Sequence, residues 1–324
     1  MHDGKVTMHA RYEEMYEAAV RYYVHNETME SIARHLQVSR SSVSRLLAEA
    51  RRTGIVRISL ASEVGSRSPA ARTLSDTFGV TVHLATVGDA AATGVRLERV
   101  SRLAASLLSE SVHDGAYIGA AWGVTMANTV RYLERRPLRE AYIVQMNGGN
   151  NPQDTAAFYV GSILQPLGEA FDARVIHFPV PAFFDYKATK DAMWRERSVR
   201  AVIEFKNRID LAIFGIGAIH GRVASHVYSA GYLDPADIAS LTAEGVVGDV
   251  NTVLLREDGS WADIELNARA TGLTPEEMQR IPMRIGVVAD PSRAAALLGA
   301  LRAKTMTDLV CDDATAYAVL ERLG

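Results

Sequence analysis

One cysteine in 324 residues, Cys311, leaves no disulfide framework and points to a reducing compartment, the cytoplasm. It stands in "LVCDD", an apolar run followed by two aspartates. That is the setting of a core thiol, because a reactive one needs a basic neighbourhood. No apolar run approaches the roughly 20 residues of a membrane helix, and the start, "MHDGKVTMHARYEEM", has no apolar signal core. The nine histidines and one cysteine show no metal-ligand spacing, and there is no P-loop, so neither a metal nor another cofactor is implied. Repeats and low-complexity segments are absent. A large net charge is also missing: 35 Lys+Arg against 38 Asp+Glu give −3, which excludes a generally basic nucleic-acid coat. What remains, 48% hydrophobic and 23% charged residues, suits a globular chain of two or three domains.

The charge that is present is uneven. Residues 1–60 hold nine Lys+Arg and seven Asp+Glu, so the rest of the chain carries −5. Within 31–57 six arginines face Glu49 alone. A small basic patch on an acidic body suggests one face for phosphates. Apolar residues at Met8, Tyr12, Met15, Tyr16, Ala19, Val20 and Tyr23 follow helical spacing. Thr28 is placed to cap a short second helix through Met29, Ile32, Ala33 and Leu36. "QVS" then makes a tight turn in which Val38 can plug the core, and Ser39 can cap a third helix. That helix turns Val43, Leu46, Leu47 and Ala50 inward and ends near Gly54, before a short β-rich "IVRISL". Two short helices joined by a tight turn are the pattern of a helix-turn-helix. The outward face is then Arg40, Ser41, Ser44 and Arg45, with Ser39 and Ser42 beside it. Short hydroxyls let a helix sit deep in a major groove, and Arg40 and Arg45 can pair with guanine edges or phosphates. Arg51, Arg52 and Arg57 are better placed for the DNA backbone.

"ASEVGSRSPAAR" (61–72) reads as a linker. Beyond it β-rich runs alternate with helical ones: "VTVHLAT", "YIGA", "AYIVQMN", "ARVIHF", "DLAIFGIG", "NTVLL", "RIGVVA" and "DLVCD". Alternation of this kind predicts a parallel α/β sheet with helices on both faces. Ligands of such sheets bind beyond the carboxyl ends of the strands. The strand ends read as "GAAWGVT" (119–125), "QMNGGN" (145–150), "GIGA" (215–218), "GD" (248–249) and "ADPSR" (289–293). A helix starting after Gly123 would offer free N–H groups and the Thr125 hydroxyl to a phosphate or to sugar hydroxyls.

These features together resemble the SorC/DeoR-type family of sugar-responsive bacterial transcription regulators. The resemblance rests on "ESIARHLQVSRSSVSRLLAEARRTGIVRI", "IGAAWGVTMANTV", "VQMNGG", "FGIGAI", "GVVGDV" and the long "IGVVADPSRAAALLGALRAKTMTDLVCDDATAYAVL". It implies a winged-type helix-turn-helix domain over 1–60 and a linker over 61–72. Over 73–324 it implies a sugar-binding and oligomerisation domain like ribose-5-phosphate isomerase and glucosamine-6-phosphate deaminase, without their catalysis. Expected partners are operator DNA, a sugar, polyol or sugar phosphate, and further copies of the chain as a dimer or tetramer. Carried residue by residue, the effector site comprises Gly119, Trp122, Gly123, Thr125, Gln145, Gly148, Gly149, Gly215, Gly217 and Asp249. In the last loop Asp290 and Arg293 stand where the family commonly has a glycine pair and a lysine. Arg293 keeps the positive charge. Asp290, at a helix N-terminus, opposes a phosphate and favours sugar hydroxyls, unless it simply caps its helix. The competing reading is a sugar-phosphate isomerase or deaminase fused to a DNA-binding module. It needs a tuned acid and base, and the candidates are Asp185, Lys187, His220, Asp249, Asp263 and Glu265. Asp263 and Glu265 alternate in a possible strand, "WADIEL". A recombinase would need catalytic carboxylates or serine chemistry that the alternating body does not offer.

Overall fold

A computed structural model describes residues 3–53, 55–56, 68–88, 90–149, 156–222 and 225–323. The chain divides into two compact units, Met1–Ala61 and Ser62–Gly324. In the first, α1 (Asp3–Ala19) runs into a π-helical turn, Val20–Val24, and is followed by α2 (Met29–His35) and α3 (Arg40–Arg52). Local chemistry sets the boundaries. The Thr28 hydroxyl accepts the Ser31 N–H at 3.2 Å, and the Ser39 hydroxyl accepts the Ser42 N–H at 3.1 Å. The core is small: Met15, Ala18, Ala19, Ile32, Ala33, Val43, Leu46, Leu47 and Ala50.

Two expectations are corrected here, the Val38 plug and the far end of the linker. Within the apolar stripe of α1, Tyr12 and Tyr16 are exposed, because the buried face runs through Met15, Ala18 and Ala19, roughly a quarter-turn away. Val38 is exposed rather than a plug, since Ile32, Ala33 and Val43 already fill the space beneath the turn. Helix α3 closes on Thr53, whose hydroxyl bonds the Glu49 carbonyl at 2.9 Å. Gly54, Arg57 and the rest of "IVRISL" from Arg57 onward lie outside the described residues, as do 61–67 of the expected linker. The linker's other end is not linker. Pro69 opens α4 (Pro69–Phe78), and Ala70, Ala71 and Leu74 are buried in the core of the second unit. Proline suits that first position because its missing N–H would be unsatisfied there anyway.

The second unit is a sheet covered by helices on both faces. Its parallel strands are β1 (Thr81–Ala85), β2 (Tyr117–Ala120), β3 (Tyr142–Gln145), β4 (Arg174–Ile176) and β5 (Leu211–Ala218). An antiparallel hairpin follows, β6 (Val246–Val250) and β7 (Val253–Arg256), and then β8 (Met283–Val287) and β9 (Asp308–Asp312). The parallel order is β1-β9-β8-β5-β2-β3-β4, with the hairpin joined to β5. Side chains alternate between two cores. Ala212 and Phe214 of β5 face one, with α4, α13 (Ala294–Arg302) and α14 (Asp313–Glu321). Leu211 and Ile213 face the other, with α5 (Thr93–Ser111) and α7 (Ala156–Phe171). A strand buried on both sides reads as an unbroken apolar run, which is why "DLAIFG" and "RIGVVA" were recognisable. Cys311 is fully buried in the first of these cores, with its thiol pKa pushed up by burial.

Two strand readings change. "NTVLL" supplies β7 of an antiparallel hairpin, not a parallel strand. "WADIEL" is not a strand: Glu265–Ala268 is a turn of 3-10 helix, and Asp263 and Glu265 are exposed. The remaining helices are α6 (Val124–Thr129), α8 (Lys187–Met193), α9 (Arg197–Lys206), α10 (His226–Ser229), α11 (Pro235–Ala243) and α12 (Pro275–Met278).

Candidate functional site

Strand β2 leads away to β3 on one side of the sheet, while β5 leads to the hairpin and β8 on the other. Connections that diverge from adjacent strands leave a crevice at their carboxyl ends. A narrow cleft of about 50 Å³ lies there, lined by Ala121–Thr125, Asn147, Gly215–Gly217, Ser225–Val227, Asp249, Asn251, Thr252 and Arg293.

Strand β5 is long enough to build the floor. Its first five residues pair with β8, and Ile216–Ala218 run on to pair antiparallel with β6, setting Gly217 opposite Asp249. Gly217 is required for space: a Cβ there would lie 1.9 Å from Asp249 Oδ1. The hairpin closes in two residues, Asn251 and Thr252, with φ of 56° and 65°. Both lie in the left-handed region demanded by the tight turn that matches strand twist. A β-branched Thr252 is strained there. Its N–H binds Asp249 Oδ2 at 3.1 Å, anchoring the carboxylate.

The polar groups of this cleft are under-used. Asp249 Oδ1, both side-chain polar atoms of Asn251 and Asn147 Oδ1 are buried without a close hydrogen-bond partner among the described residues. Buried polar atoms normally find partners. Burial pushes the Asp249 carboxyl up to about 6, against the opposing pull of Tyr228, the Thr252 amide and Arg293. Arg293 reaches into the floor through Nη1, donating to the Ile216 carbonyl and the Ser225 hydroxyl, both at 2.9 Å. Burial lowers its pKa, while Asp290, Asp249 and Tyr228 oppose the drop. Aromatic rings stand on the other side. Trp122 stacks on Tyr232 at 4.8 Å, and Tyr159 stacks on His226 at 4.1 Å. Trp122 Nε1 donates to the Gly148 carbonyl and Tyr232 Oη to the Gly149 carbonyl, each at 2.9 Å. Burial raises both tyrosine pKa values, Tyr232 to about 12, and lowers that of His226.

Of the expected effector residues, Trp122, Gly123, Thr125, Gly215, Gly217, Asp249 and Arg293 come together in the cleft. Thr125 packs over Gly215, where a Cβ would lie 3.3 Å from the threonine Cβ. Gly119, Gln145, Gly148, Gly149 and Asp290 are not part of its lining. Gly119 is in the sheet interior against Met146 and Ile209. Gln145 is buried and structural: its amide nitrogen donates to the Asn147 carbonyl at 2.8 Å and its oxygen accepts the Phe178 N–H at 2.9 Å. Gly148 packs against the Val180 and Pro181 carbonyls, and the Gly149 N–H binds the Val180 carbonyl. Both glycines hold the loop after β3 in place. Asp290, at φ 102°, turns its carboxylate back to cap the Ser292 N–H at 3.0 Å. Asp249, expected at a strand end, sits inside β6. Missed by sequence reasoning were Ser225, His226, Asn251, Thr252, Tyr159 and Tyr232. Their only sequence signal is residue type, because separate loops and the hairpin bring them together. Asn147 lies in the strand-end run "QMNGGN" and lines the cleft. Of the enzyme candidates only Asp249 lines the cleft; Asp185, Lys187, His220, Asp263 and Glu265 are exposed elsewhere.

In the first unit, the side of α3 away from its core carries Arg40, Ser41, Ser44, Arg45, Arg51 and Arg52, all exposed, with Ser42 half-buried. Ser39 Oγ lies 2.7 Å from Ser41 Oγ and 2.9 Å from Ser42 Oγ, and Arg45 donates to Ser42 Oγ at 3.2 Å. Arg40 has only a loose ion pair with Glu30 at 3.7 Å, while Arg52 pairs with Glu49 at 3.3 Å.

A cleft of unspent polar groups at the switch point of this sheet defines a small-ligand-binding module, and the chain belongs to the family described as a putative sugar-binding domain, whose profile matches residues 63–321. Over 308 residues the chain is 26% identical to the deoxyribonucleoside regulator of Bacillus subtilis (strain 168), covering 95% of this chain and 97% of that one. A domain of a possible sugar-binding transcriptional regulator from Arthrobacter aurescens TC1 is 40% identical with a TM-score of 0.73, covering 78% of this chain and 99% of its own. The full-length sorbitol operon regulator SorC from Klebsiella pneumoniae has the same fold, with a TM-score of 0.79 at 21% identity, covering 94% of this chain and 97% of its own. Transcriptional regulators thus match the chain from end to end, and it is one of their kind rather than a sugar-phosphate isomerase or deaminase. Among the described residues no helix is long and apolar enough to cross a membrane.

Proposed function

We propose that the chain binds operator DNA through α2 and α3 as a helix-turn-helix, and that a sugar or polyol, free or phosphorylated, controls that binding from the cleft of the second unit. The observation that carries the effector half is the set of buried, unpartnered polar atoms on Asp249, Asn251 and Asn147 beside stacked aromatic rings. Adjacent hydroxyls that donate and accept in turn match that set, and the apolar face of a sugar ring matches the aromatics. The N–H groups opening α6 and the guanidinium of Arg293 add positive potential for a phosphate. The likeness to ribose-5-phosphate isomerase belongs to the same reading, supported by a ligand cleft at the carboxyl ends of a parallel sheet.

For the DNA half, support comes from the exposed serine and arginine face of α3 and the caps that fix the turn. Arg40, Arg45 and the serines Ser39, Ser41, Ser42 and Ser44 face the major groove; Arg51 and Arg52 take phosphates. One such unit buries too little surface for specific binding at physiological salt. Two or four copies on a palindromic site, in the cytoplasm, supply the rest through effective concentration. A thermal-shift screen of sugars, polyols and their phosphates, followed by anisotropy on DNA upstream of the gene, tests the reading. At least one carbohydrate should both stabilise the protein and change its DNA affinity. Matched sugar and sugar-phosphate pairs decide the phosphate question.

A further inference from the structure

A second cavity, of about 120 Å³, shares a wall with the cleft. The wall is Thr271–Gly272. Thr271 Oγ1 accepts the Gly148 N–H at 3.1 Å, one residue from Asn147 of the cleft, and Gly272 packs against the Asn251 carbonyl so closely that a Cβ would lie 1.6 Å from it. On its far side the cavity is lined by Lys190 of α8 and Lys206 of α9, with Trp194, Trp261 and Glu277. Lys206 is buried, yet no carboxylate lies within ion-pair distance of it among the described residues. Its ammonium makes one long hydrogen bond, 3.3 Å to the Thr271 carbonyl, and sits 4.4 Å from the Phe178 ring centroid. Lys190 is similar: one bond of 3.3 Å to the Ala268 carbonyl, and 5.4 Å from the Trp194 ring centroid. An ammonium has three donors, so each retains two. Glu277, the nearest acid, spends Oε2 on the Thr274 N–H at 2.8 Å, where it completes the cap of α12. Burial pushes Lys206 down to about 8, with Lys190 adding to the drop and Glu277 opposing it.

We propose that the Lys190–Lys206 cavity binds a small anion, a phosphate- or carboxylate-bearing molecule, separately from the effector in the cleft. Two ammoniums that line one cavity, each with unspent donors and with no carboxylate in ion-pair contact among the described residues, are completed by an anionic head group, and Trp194 and Trp261 flank whatever it is attached to. Nothing in the regulator reading requires this site, so the two stand or fall apart.

The test titrates inorganic phosphate and, separately, malonate into the full-length protein by isothermal calorimetry. It uses the wild type, Lys206→Gln, Lys190→Gln and Arg293→Gln, each checked for folding by circular dichroism. At least one anion should bind the wild type and Arg293→Gln alike and bind either lysine variant roughly tenfold or more weakly. Which of the two binds identifies the head group. Lys190, half-buried on α8, keeps the test decisive if Lys206→Gln fails to fold. Absence of binding of both anions to the wild type at millimolar concentration overturns the proposal. So does undiminished binding to a folded lysine variant, or loss confined to Arg293→Gln, which would place the anion in the cleft.

Discussion

Gly217→Ala is the sharpest probe of the cleft. A Cβ at this position would lie 1.9 Å from Asp249 Oδ1 and 2.8 Å from its Cγ. Ordinary contact needs more than 3 Å, so Oδ1 must move by roughly an ångström or more. The backbone of Gly217 is extended and lies in the sheet, so alanine causes no dihedral strain. The carboxylate is the end of a short side chain and can rotate, so the fold survives while the presented oxygen is displaced. A hydrogen bond to a charged group contributes about 1.5–3 kcal/mol, which corresponds to a loss of roughly 10- to 150-fold in effector affinity. Calorimetric titration of wild type and variant with the carbohydrate found by screening measures it. Melting curves confirm folding, and DNA affinity without effector should be unchanged. Effector affinity within a factor of two of wild type would refute the assignment of Asp249 as a ligand-binding oxygen.

Other variants test neighbouring parts of the account. Asp249→Asn should stabilise the apoprotein above pH 6 by about 3 kcal/mol, from a carboxyl raised by about two pH units. Between about pH 4 and 6 the folded wild type keeps this proton and the unfolded chain does not, so wild-type stability falls relative to the variant as pH rises through that window. Melting both across pH 4–8 measures the difference, and a constant offset would contradict it. Arg40→Ala or Arg45→Ala should abolish operator shifts and leave effector affinity unchanged by calorimetry. Leu47→Ala, in the small core of the first unit, should cost about 2–5 kcal/mol, seen as protease sensitivity confined to that unit. Arg96→Met strips the buried Asp312 carboxylate of its 2.7 Å partner, and melting should show a loss of about 3–5 kcal/mol.

What was legible in the sequence was local. Thr28 and Ser39 act on N–H groups three residues away, so their caps could be read directly. The parallel strands, buried on both faces, announced themselves as apolar runs, and the glycines of "GIGA" marked the floor of the cleft. What was not legible depends on distance or on backbone direction. The hairpin places Asp249 opposite Gly217 across 32 residues of chain, a pairing no periodicity encodes. Asp290, at positive φ, caps the Ser292 N–H through Oδ1 while its Oδ2 stays buried without a partner among the described residues, a division that residue type alone does not show. Tyr159 comes from α7, and His226 and Tyr232 from a segment about 70 residues further on, and they meet only through ring contacts in the folded chain. Val38 is apolar and suits a core plug by residue type, yet it is exposed, as hydrophobic side chains often are.

Fluorescence anisotropy on DNA from upstream of the gene, with and without the carbohydrate that stabilises the protein most, tests the coupling of cleft to α3 most directly. The carbohydrate should change the DNA dissociation constant by roughly fivefold or more, and Asp249→Asn should bind DNA but lose the response. A carbohydrate that occupies the cleft and leaves DNA affinity untouched would contradict the account.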